Sequence, residues 1–127
     1  MIFGIGTDIV SIERIRAGLQ RHDERFARRI LAEKEWDAFK KSACPAHFLA
    51  KRFAAKEAAA KAFGTGFRDG LSLRHIAVVN DHRGKPELCF SERADALREE
   101  LGIGRHYLSL SDERDYAIAF VTFLEKE

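Results

Sequence analysis

Residues 45–64 of this 127-residue chain, PAHFLAKRFAAKEAAAKAFG, form the stretch that decides the fold. Pro45 is typical of the first turn of a helix, and Gly64 is typical of a left-handed residue just beyond a helix end. Between them stand strong helix formers, with alanine at five of the seven positions 54–60. The stretch therefore predicts the longest helix of the protein, from Pro45 to Phe63, with small side chains that let another backbone or a ligand come close.

The chain before this helix predicts one strand and several shorter helices. The run from Ile2 to Val10 is rich in β-branched residues and predicts a strand, in which Gly4 and Gly6 indicate a close approach of backbone. Ser11 is a good N-cap for the next helix. This helix has Ile12, Ile15 and Leu19 on its inward face and is interrupted at His22 and Asp23. A short helix with Phe26 and Ile30 follows, and then a helical stretch from about Glu33 to Lys41 with Trp36 and Phe39 directed inward.

The chain after Gly64 changes to the pattern of strands. The predicted elements are a strand from Leu73 to Val79, a turn from Asp81 to Lys85, a strand from Glu87 to Phe90, a helix capped by Ser91 that ends before Gly102, and a hairpin of Tyr107–Ser111 with Tyr116–Leu124. Helices thus dominate the first half and mainly antiparallel strands the second. This order predicts an α+β fold in a single domain over residues 1–127.

The composition is that of an ordinary globular protein. Apolar residues make up 46 % and charged residues 33 % of the chain, which argues against intrinsic disorder. The formal net charge of +2 argues against a strongly cationic nucleic-acid binder. No stretch approaches the roughly 20 apolar residues of a membrane span, and no signal peptide is recognisable. With Cys44 and Cys89 read as reduced thiols, we expect a cytoplasmic protein.

Three charged side chains are candidates for chemistry. Glu57 and Lys61 lie four apart on one face of the long helix. They form either a solvated ion pair, worth about 0.3–0.5 kcal/mol, or a carboxylate for a metal with an ammonium one turn away, as phosphoryl chemistry requires. Asp8 lies in or just after the apolar first strand and either caps the following helix or is paired. If Asp8 and Glu57 meet, two carboxylates can hold Mg²⁺ and leave positions for phosphate oxygens.

Other polar residues have a structural and a functional interpretation. His106 falls in the penultimate strand, where a single histidine is more often structural. Arg83 and Lys85 belong first of all to a hairpin turn, and they are also able to meet a phosphate. Four arginines in the first helical region, spaced seven, four and three residues apart, form either a solvated face or a docking surface for an acidic partner; they are Arg14, Arg21, Arg25 and Arg28.

Several motifs over essentially the whole chain carry a resemblance to a known family. They are GIGTDIV (residues 4–10), RRIL (28–31), FLAKRFAAKEA (48–58), KAFGTG (61–66), GKP (84–86) and DYA (115–117). With these motifs the sequence resembles the holo-[acyl-carrier-protein] synthases, the small bacterial 4′-phosphopantetheinyl transferases. The resemblance implies their fold, with helices on a small, mainly antiparallel sheet. It also implies transfer of the phosphopantetheine arm of coenzyme A to a serine of apo acyl carrier protein, releasing adenosine 3′,5′-bisphosphate, in fatty-acid biosynthesis.

The resemblance also implies roles for particular residues. Asp8 and Glu57 match positions that hold Mg²⁺, and Lys61 matches a position implicated in catalysis. The residues expected near coenzyme A are Arg52, Lys56, Lys61, Gly84, Lys85, Pro86 and His106. Arg14 and Arg21 match arginines that dock the acidic helix of the carrier protein, and Arg25 and Arg28 extend that surface. The family is typically a homotrimer with active sites between subunits.

One position departs from the family pattern. Many members have a histidine directly after the Ser-x-Ser of the penultimate strand, whereas Asp112 follows Ser111 here. A histidine role at that turn is therefore in doubt. The alternative hypothesis is a non-catalytic basic module that binds an acidic protein or RNA through the four arginines. The lack of interleaved aromatic residues for base stacking disfavours RNA, so we expect no nucleic-acid partner and no membrane partner.

Overall fold

The computed structural model describes residues 1–127, and its elements follow the order of the sequence prediction. The strands and helices are β1 (Ile2–Ser11), α1 (Ile12–Ile30), α2 (Trp36–Lys41), α3 (Pro45–Phe63), β2 (Ile76–Asn80), β3 (Pro86–Phe90), α4 (Glu92–Glu100), β4 (Ile103–Asp112) and β5 (Tyr116–Glu125). Two 3₁₀ turns, Glu33–Glu35 and Leu73–His75, precede α2 and β2. None of the helices is long and apolar enough to cross a membrane. The predicted α+β class is confirmed.

Helix α3 occupies the centre of the protein. It begins with Pro45 in its first turn and ends at Gly64, whose φ of 85° is the left-handed conformation that closes a helix. Its alanines are buried on several faces, against β1 and β5 on one side and against α1 and β2 on others. The helix therefore has no solvated stripe, and each of its charged residues needs a partner or an opening to the surface.

Strands β1, β5 and β4 form an antiparallel sheet in that order, with β5 in the middle. The inner face of β5, with Ala117, Ala119, Val121 and Phe123, is fully buried against α3. The outer face alternates with it, as a half-buried antiparallel sheet requires. That outer face carries exposed large apolar residues, namely Ile5, Ile9, Tyr107, Tyr116, Ile118 and Phe120.

Glycines allow β1 to lie directly on the backbone of α3. A Cβ atom on Gly6 would lie 1.9 Å from the carbonyl oxygen of Ala58, and one on Gly4 would lie 2.2 Å from that of Ala62. No side chain fits in either place. The backbone approach predicted for Gly4 and Gly6 is therefore confirmed, and its partner is α3.

The β2–β3 hairpin packs along α3, from Arg52, which contacts Val78, to Phe63 at the C-terminal end of the helix. The two strands pair antiparallel, with Val78 opposite Leu88. Phe63 at the end of α3 meets Phe90 of β3 and Phe123 of β5, with ring centroids 5.8 and 4.8 Å apart. These three rings join the hairpin, the helix and the main sheet into one apolar core.

Three local predictions need correction or refinement. The strand predicted from Leu73 begins only at Ile76, because Ser72 caps a 3₁₀ turn: its hydroxyl accepts from the amide of Arg74 and its own amide donates to His75 Nδ1. Ser91 precedes α4 but its side chain makes no capping hydrogen bond and faces the carbonyl of His75 instead. The predicted break in α1 is confirmed at Asp23, where φ is 52° and ψ is −138°.

Replacing Gly6 with alanine tests the contact between β1 and α3. Because the new methyl group overlaps the Ala58 carbonyl, we expect Gly6→Ala to lower the free energy of unfolding by about 1–3 kcal/mol. Urea denaturation measures this. Thr7→Ser, on the exposed side of the same strand, keeps the hydroxyl that donates to the carbonyl oxygen of Ala119, so it is the control and should change stability little. Wild-type stability of Gly6→Ala would contradict the direct backbone contact.

Candidate functional site

Asp8 lies against Lys61, where β1 crosses α3. Asp8 has the same strand parity as Gly4 and Gly6, so its side chain points to the helix. The Lys61 Nζ atom lies 3.1 Å from Asp8 Oδ1 and also donates to the carbonyl oxygen of Thr7, at 2.9 Å. The Asp8 side chain is 17 % exposed and that of Lys61 is 53 % exposed, so this pair sits at the protein surface with its carboxylate partly enclosed. The interpretation of Asp8 as a helix cap is excluded, since Ser11 caps α1.

Glu57 completes a group of three charges with Asp8 and Lys61. Burial raises the pKa of the Glu57 carboxyl above its ordinary value, the negative charge of Asp8 raises it further, and the ammonium of Lys61 opposes both. The two carboxylates therefore repel each other, and Lys61 offsets this repulsion in part. An additional positive charge beside both carboxylates would relieve the repulsion further.

A cavity of about 480 Å³ opens next to the two carboxylates. Asp8 and Glu57 line it together with apolar side chains, including Phe26 and Phe53. Two basic residues, Arg14 and Arg29, also reach it. The site thus combines acidic groups, an apolar wall and cationic groups, an arrangement that suits a ligand with both charged and apolar parts.

Residues of the GKP motif gather around His106 at a second, smaller cavity of about 190 Å³, which Lys85 and Pro86 line with it. Burial lowers the pKa of His106, Arg98 lowers it further, and Glu87 opposes the change. The edge of the His106 ring meets Phe90, with centroids 5.0 Å apart. His106 is on β4 and Asp8 is on β1, and strand β5 lies between them, so a single chain does not bring His106 to the two carboxylates.

Arg52 and Lys56 do not face either cavity. Lys56 is completely buried, and its ammonium donates to Glu35 Oε1 at 2.6 Å and to the carbonyl oxygen of Leu73 at 3.2 Å. Arg52 is also buried, with Nε 3.4 Å from Glu35 Oε2. Burial lowers the pKa of both groups, and the charge of Glu35 opposes it. The expectation that these two cations lie near coenzyme A stays a prediction, and in the single chain both are turned inward onto Glu35.

The four arginines of the docking hypothesis are all exposed, but they do not form one continuous helix face. The left-handed residue Asp23 separates Arg14 and Arg21 from Arg25 and Arg28. Arg28 stacks over Trp36, with its guanidinium 3.8 Å from the ring centroid. Arg14 reaches the larger cavity, so this part of the basic surface adjoins the carboxylates.

A divalent cation in the larger cavity would have two protein ligands. No group of three or more histidine, cysteine, aspartate or glutamate side chains is placed to hold a metal ion together. Asp8 and Glu57 provide two carboxylates, and the negative charge of Asp8 helps to raise the pKa of Glu57. Mg²⁺ is commonly held by one or two carboxylates together with water and substrate phosphates, so the donor set fits Mg²⁺ better than a metal that needs a complete protein cage.

Comparison with known proteins assigns the family. The family model of the 4′-phosphopantetheinyl transferase superfamily matches residues 4–121. The chain belongs to this superfamily. A holo-[acyl-carrier-protein] synthase of Nitrosospira multiformis is 56 % identical over 126 residues, which are 99 % of this chain and 100 % of that protein.

Solved structures of the superfamily share the fold over almost the full length. The holo-[acyl-carrier-protein] synthase of Neisseria meningitidis superposes with a TM-score of 0.93 at 47 % identity and covers 98 % of this chain and 100 % of its own. That of Bacillus anthracis, in complex with CoA (3′,5′-ADP), has a TM-score of 0.81 at 39 % identity and covers 100 % of this chain and 99 % of its own. The predicted family and fold are confirmed.

Sequence reasoning missed two residues near these sites. Arg29 lines the larger cavity, although it stands in the quoted RRIL motif. Glu35 is the buried partner of Lys56 and Arg52. Two cations on an alanine-rich, buried helix require a negative partner, and this requirement could have been recognised from the sequence. The sequence did not indicate that the partner is Glu35, because Glu35 lies 21 residues before Lys56 in the chain.

The titration of Glu57 tests the three-charge group. Removing the negative neighbour in Asp8→Asn should lower the pKa of Glu57, and removing the positive neighbour in Lys61→Met should raise it. NMR of ¹³C-labelled glutamate carboxyls measures the shift, with Lys51→Met as the control on the same helix. The folded state binds the proton of the Glu57 carboxyl more tightly than the unfolded state does. The contribution of Glu57 to the free energy of unfolding should therefore fall as the pH rises from the ordinary pKa of Glu57 to its raised pKa. An unchanged Glu57 pKa in both variants would exclude the group.

Proposed function

We propose that this protein transfers the 4′-phosphopantetheine group of coenzyme A to a serine of apo acyl carrier protein, in fatty-acid biosynthesis. The observation that carries the proposal is the group of Asp8, Glu57 and Lys61 beside a cavity, in a chain of the 4′-phosphopantetheinyl transferase superfamily. Its relatives of more than half identity are holo-[acyl-carrier-protein] synthases, which supports this reaction over others.

The reaction requires little covalent help from the protein. The serine oxygen of the carrier bonds to the phosphorus next to the pantetheine arm, the bond from that phosphorus to the bridging oxygen breaks, and adenosine 3′,5′-bisphosphate leaves. The serine proton passes to a base. Such transfers depend on alignment of the alcohol and on offsetting the charge of the phosphate oxygens. Lys61, exposed at the edge of the site, has the position and charge for the second task.

The proposal includes Mg²⁺ at Asp8 and Glu57. The repulsion between these carboxylates and their place on the wall of the cavity support it. When bound, the cation supplies charge neutralisation at the pyrophosphate of coenzyme A. Lys61 donates to Asp8, and an ammonium that leaves this contact would be free to turn toward a phosphate.

Coenzyme A and the carrier protein would meet this chain through separate basic groups. Lys61 on one side, and the loop of Gly84, Lys85 and Pro86 with His106 on the other, are proposed for coenzyme A. The exposed arginines of α1, namely Arg14, Arg21, Arg25 and Arg28, are proposed for the acidic carrier protein. Arginine suits this task because its guanidinium binds carboxylates in a bidentate manner. Arg14 joins the two regions, since it lies at the cavity that holds the carboxylates.

We also propose a homotrimer with active sites between copies. The outer face of the main sheet exposes Ile5 and Ile9 by 58 % and 61 %, beside Ile118 and Phe120. Contiguous apolar surface of this kind marks a protein contact. The separation of His106 from the carboxylates within one chain supports the same arrangement, because a neighbouring copy would bring the two cavities together. A cytoplasmic location belongs to the proposal, in line with the free thiols Cys44 and Cys89.

A mass-shift assay tests the reaction. With coenzyme A and Mg²⁺, the wild-type protein should add one phosphopantetheine group to an apo acyl carrier protein, as mass spectrometry of the carrier measures. Asp8→Asn and Glu57→Gln should reduce the rate by about 10²-fold or more, since each removes a charge from the proposed cation site. Asp37→Asn, an exposed acid on α2, is the control. No product with several carriers would favour the non-catalytic binding module instead.

Light scattering tests the assembly. Wild-type protein should have three times the chain mass of 14.4 kDa. Ile118→Glu places a charge in the apolar sheet face and should give single chains, with a loss of activity of about 100-fold, as misplaced reacting groups cause. Ala96→Glu on exposed α4 should remain trimeric and active. Full activity of a single-chain variant would contradict sites shared between copies.

A further inference from the structure

The buried carboxylate of Glu35 holds several elements at fixed positions. It accepts from the ammonium of Lys56 and from two backbone amides, those of Val78 on β2 at 3.0 Å and Ala32 at 2.8 Å. A carboxylate with this many donors in the interior has little freedom to move. Through these contacts Glu35 ties the middle of β2 and the turn before α2 to helix α3.

Arg52 extends this cluster toward the surface. Its guanidinium lies over the ring of Phe48, 4.1 Å from the centroid, and approaches Glu35 on one side. On the other side one terminal nitrogen donates to the carbonyl oxygen of Val78, at 3.4 Å, and to Asn80 Oδ1, at 3.2 Å. The Nε atom is buried and has no hydrogen-bond partner. The guanidinium is therefore oriented by the hydrogen bonds of its terminal nitrogen, of which the one to Asn80 points toward the surface.

Asn80 connects Arg52 to the loop between β2 and β3. It is the last residue of β2 and is exposed. Its oxygen accepts from Arg52, and its Nδ2 atom donates to the carbonyl oxygen of Gly84 at 2.8 Å. Among the side chains, only an amide of this size offers an acceptor and a donor together at the required places.

The loop itself is ordered by a second side chain. The Asp81 carboxylate accepts from the amides of Arg83 and Lys85, at 2.8 and 2.9 Å, which closes the turn around Gly84 with its φ of 85°. Asp81 orders the turn internally, whereas Asn80 fixes the turn relative to the core of the protein. The backbone of Lys85, beside the His106 cavity, is thereby placed by both contacts.

We propose that Asn80, held by Arg52 and Glu35, is a positioning residue that pre-orders the backbone of Gly84 and Lys85 for the phosphates of coenzyme A. The role in coenzyme A binding rests on the proposed function. A loop that is already ordered loses less conformational entropy when the ligand binds, so the contact acts on affinity for coenzyme A and not on the chemical step. Asn80 faces Pro86 across the hairpin at a non-hydrogen-bonded position of the ladder, because the neighbouring amide of Asp81 is the one that donates to the carbonyl oxygen of Lys85. The Asn80 side chain therefore adds a contact to the loop that the strand ladder does not make at this point.

Two substitutions at Asn80 separate this role from general stability. Asn80→Ala removes both hydrogen bonds. Asn80→Asp keeps an acceptor for Arg52 but sets a carboxylate against the Gly84 carbonyl oxygen. Both break the hydrogen bond to Gly84 and should raise KM for coenzyme A by about three- to tenfold, while kcat and KM for the carrier protein stay nearly unchanged. His82→Ala, in the same loop, makes neither contact and is the control.

A measurement without turnover keeps the proposal separate from the enzymatic assignment. In the ligand-free protein, the ¹⁵N order parameters of Gly84 and Lys85 should fall in Asn80→Ala from about 0.85 to below about 0.6 and stay high in His82→Ala. Unchanged order parameters would overturn the positioning role, whether or not the wild type makes holo carrier protein. A loosened loop with unchanged KM for coenzyme A would overturn its role in binding. Absence of any turnover by wild type would count against the proposed function alone.

Discussion

The direct backbone contact between β1 and α3 is the constraint on which the rest of the structure depends. Gly4 and Gly6 leave no room for a side chain between the strand and the helix, and α3 meets them with alanine. This contact carries the next inward residue of the strand, Asp8, to the edge of the helix where Lys61 emerges. It also buries α3 on most of its surface, so that few of the charged side chains of the helix can reach solvent.

Four charged residues of α3 consequently form two groups with different surroundings. Consecutive residues of a helix point about 100° apart, so Lys56 and Glu57 cannot face the same surroundings. Lys56 turns inward with Arg52, and Glu35 neutralises them. Glu57 turns to the open edge, where the negative charge of Asp8 helps to raise its pKa and the charge of Lys61 opposes that change. The inner group fixes the architecture and the outer group provides the chemistry that we propose.

Local signals made much of this predictable from the sequence. Pro45 and Gly64 mark the ends of α3 correctly, and the paired glycines of β1 indicate its close packing. The resemblance to holo-[acyl-carrier-protein] synthases singled out Asp8, Glu57 and Lys61, which the fold brings together. The burial of Lys56 was not predictable from its motif, because it depends on a carboxylate 21 residues away. The 3₁₀ turn at residues 73–75 depends on side-chain contacts of Ser72 and His75 that compete with strand formation.

The joint action of Asp8 and Glu57 as one cation site is tested most directly by Mn²⁺ binding, followed by electron paramagnetic resonance of the purified protein with coenzyme A. We expect one Mn²⁺ per chain in the wild type and binding weakened by at least about tenfold in both Asp8→Asn and Glu57→Gln. Lys51→Met, on the same helix, should bind like the wild type. Mn²⁺ binding of wild-type strength in either Asp8→Asn or Glu57→Gln would contradict a shared site.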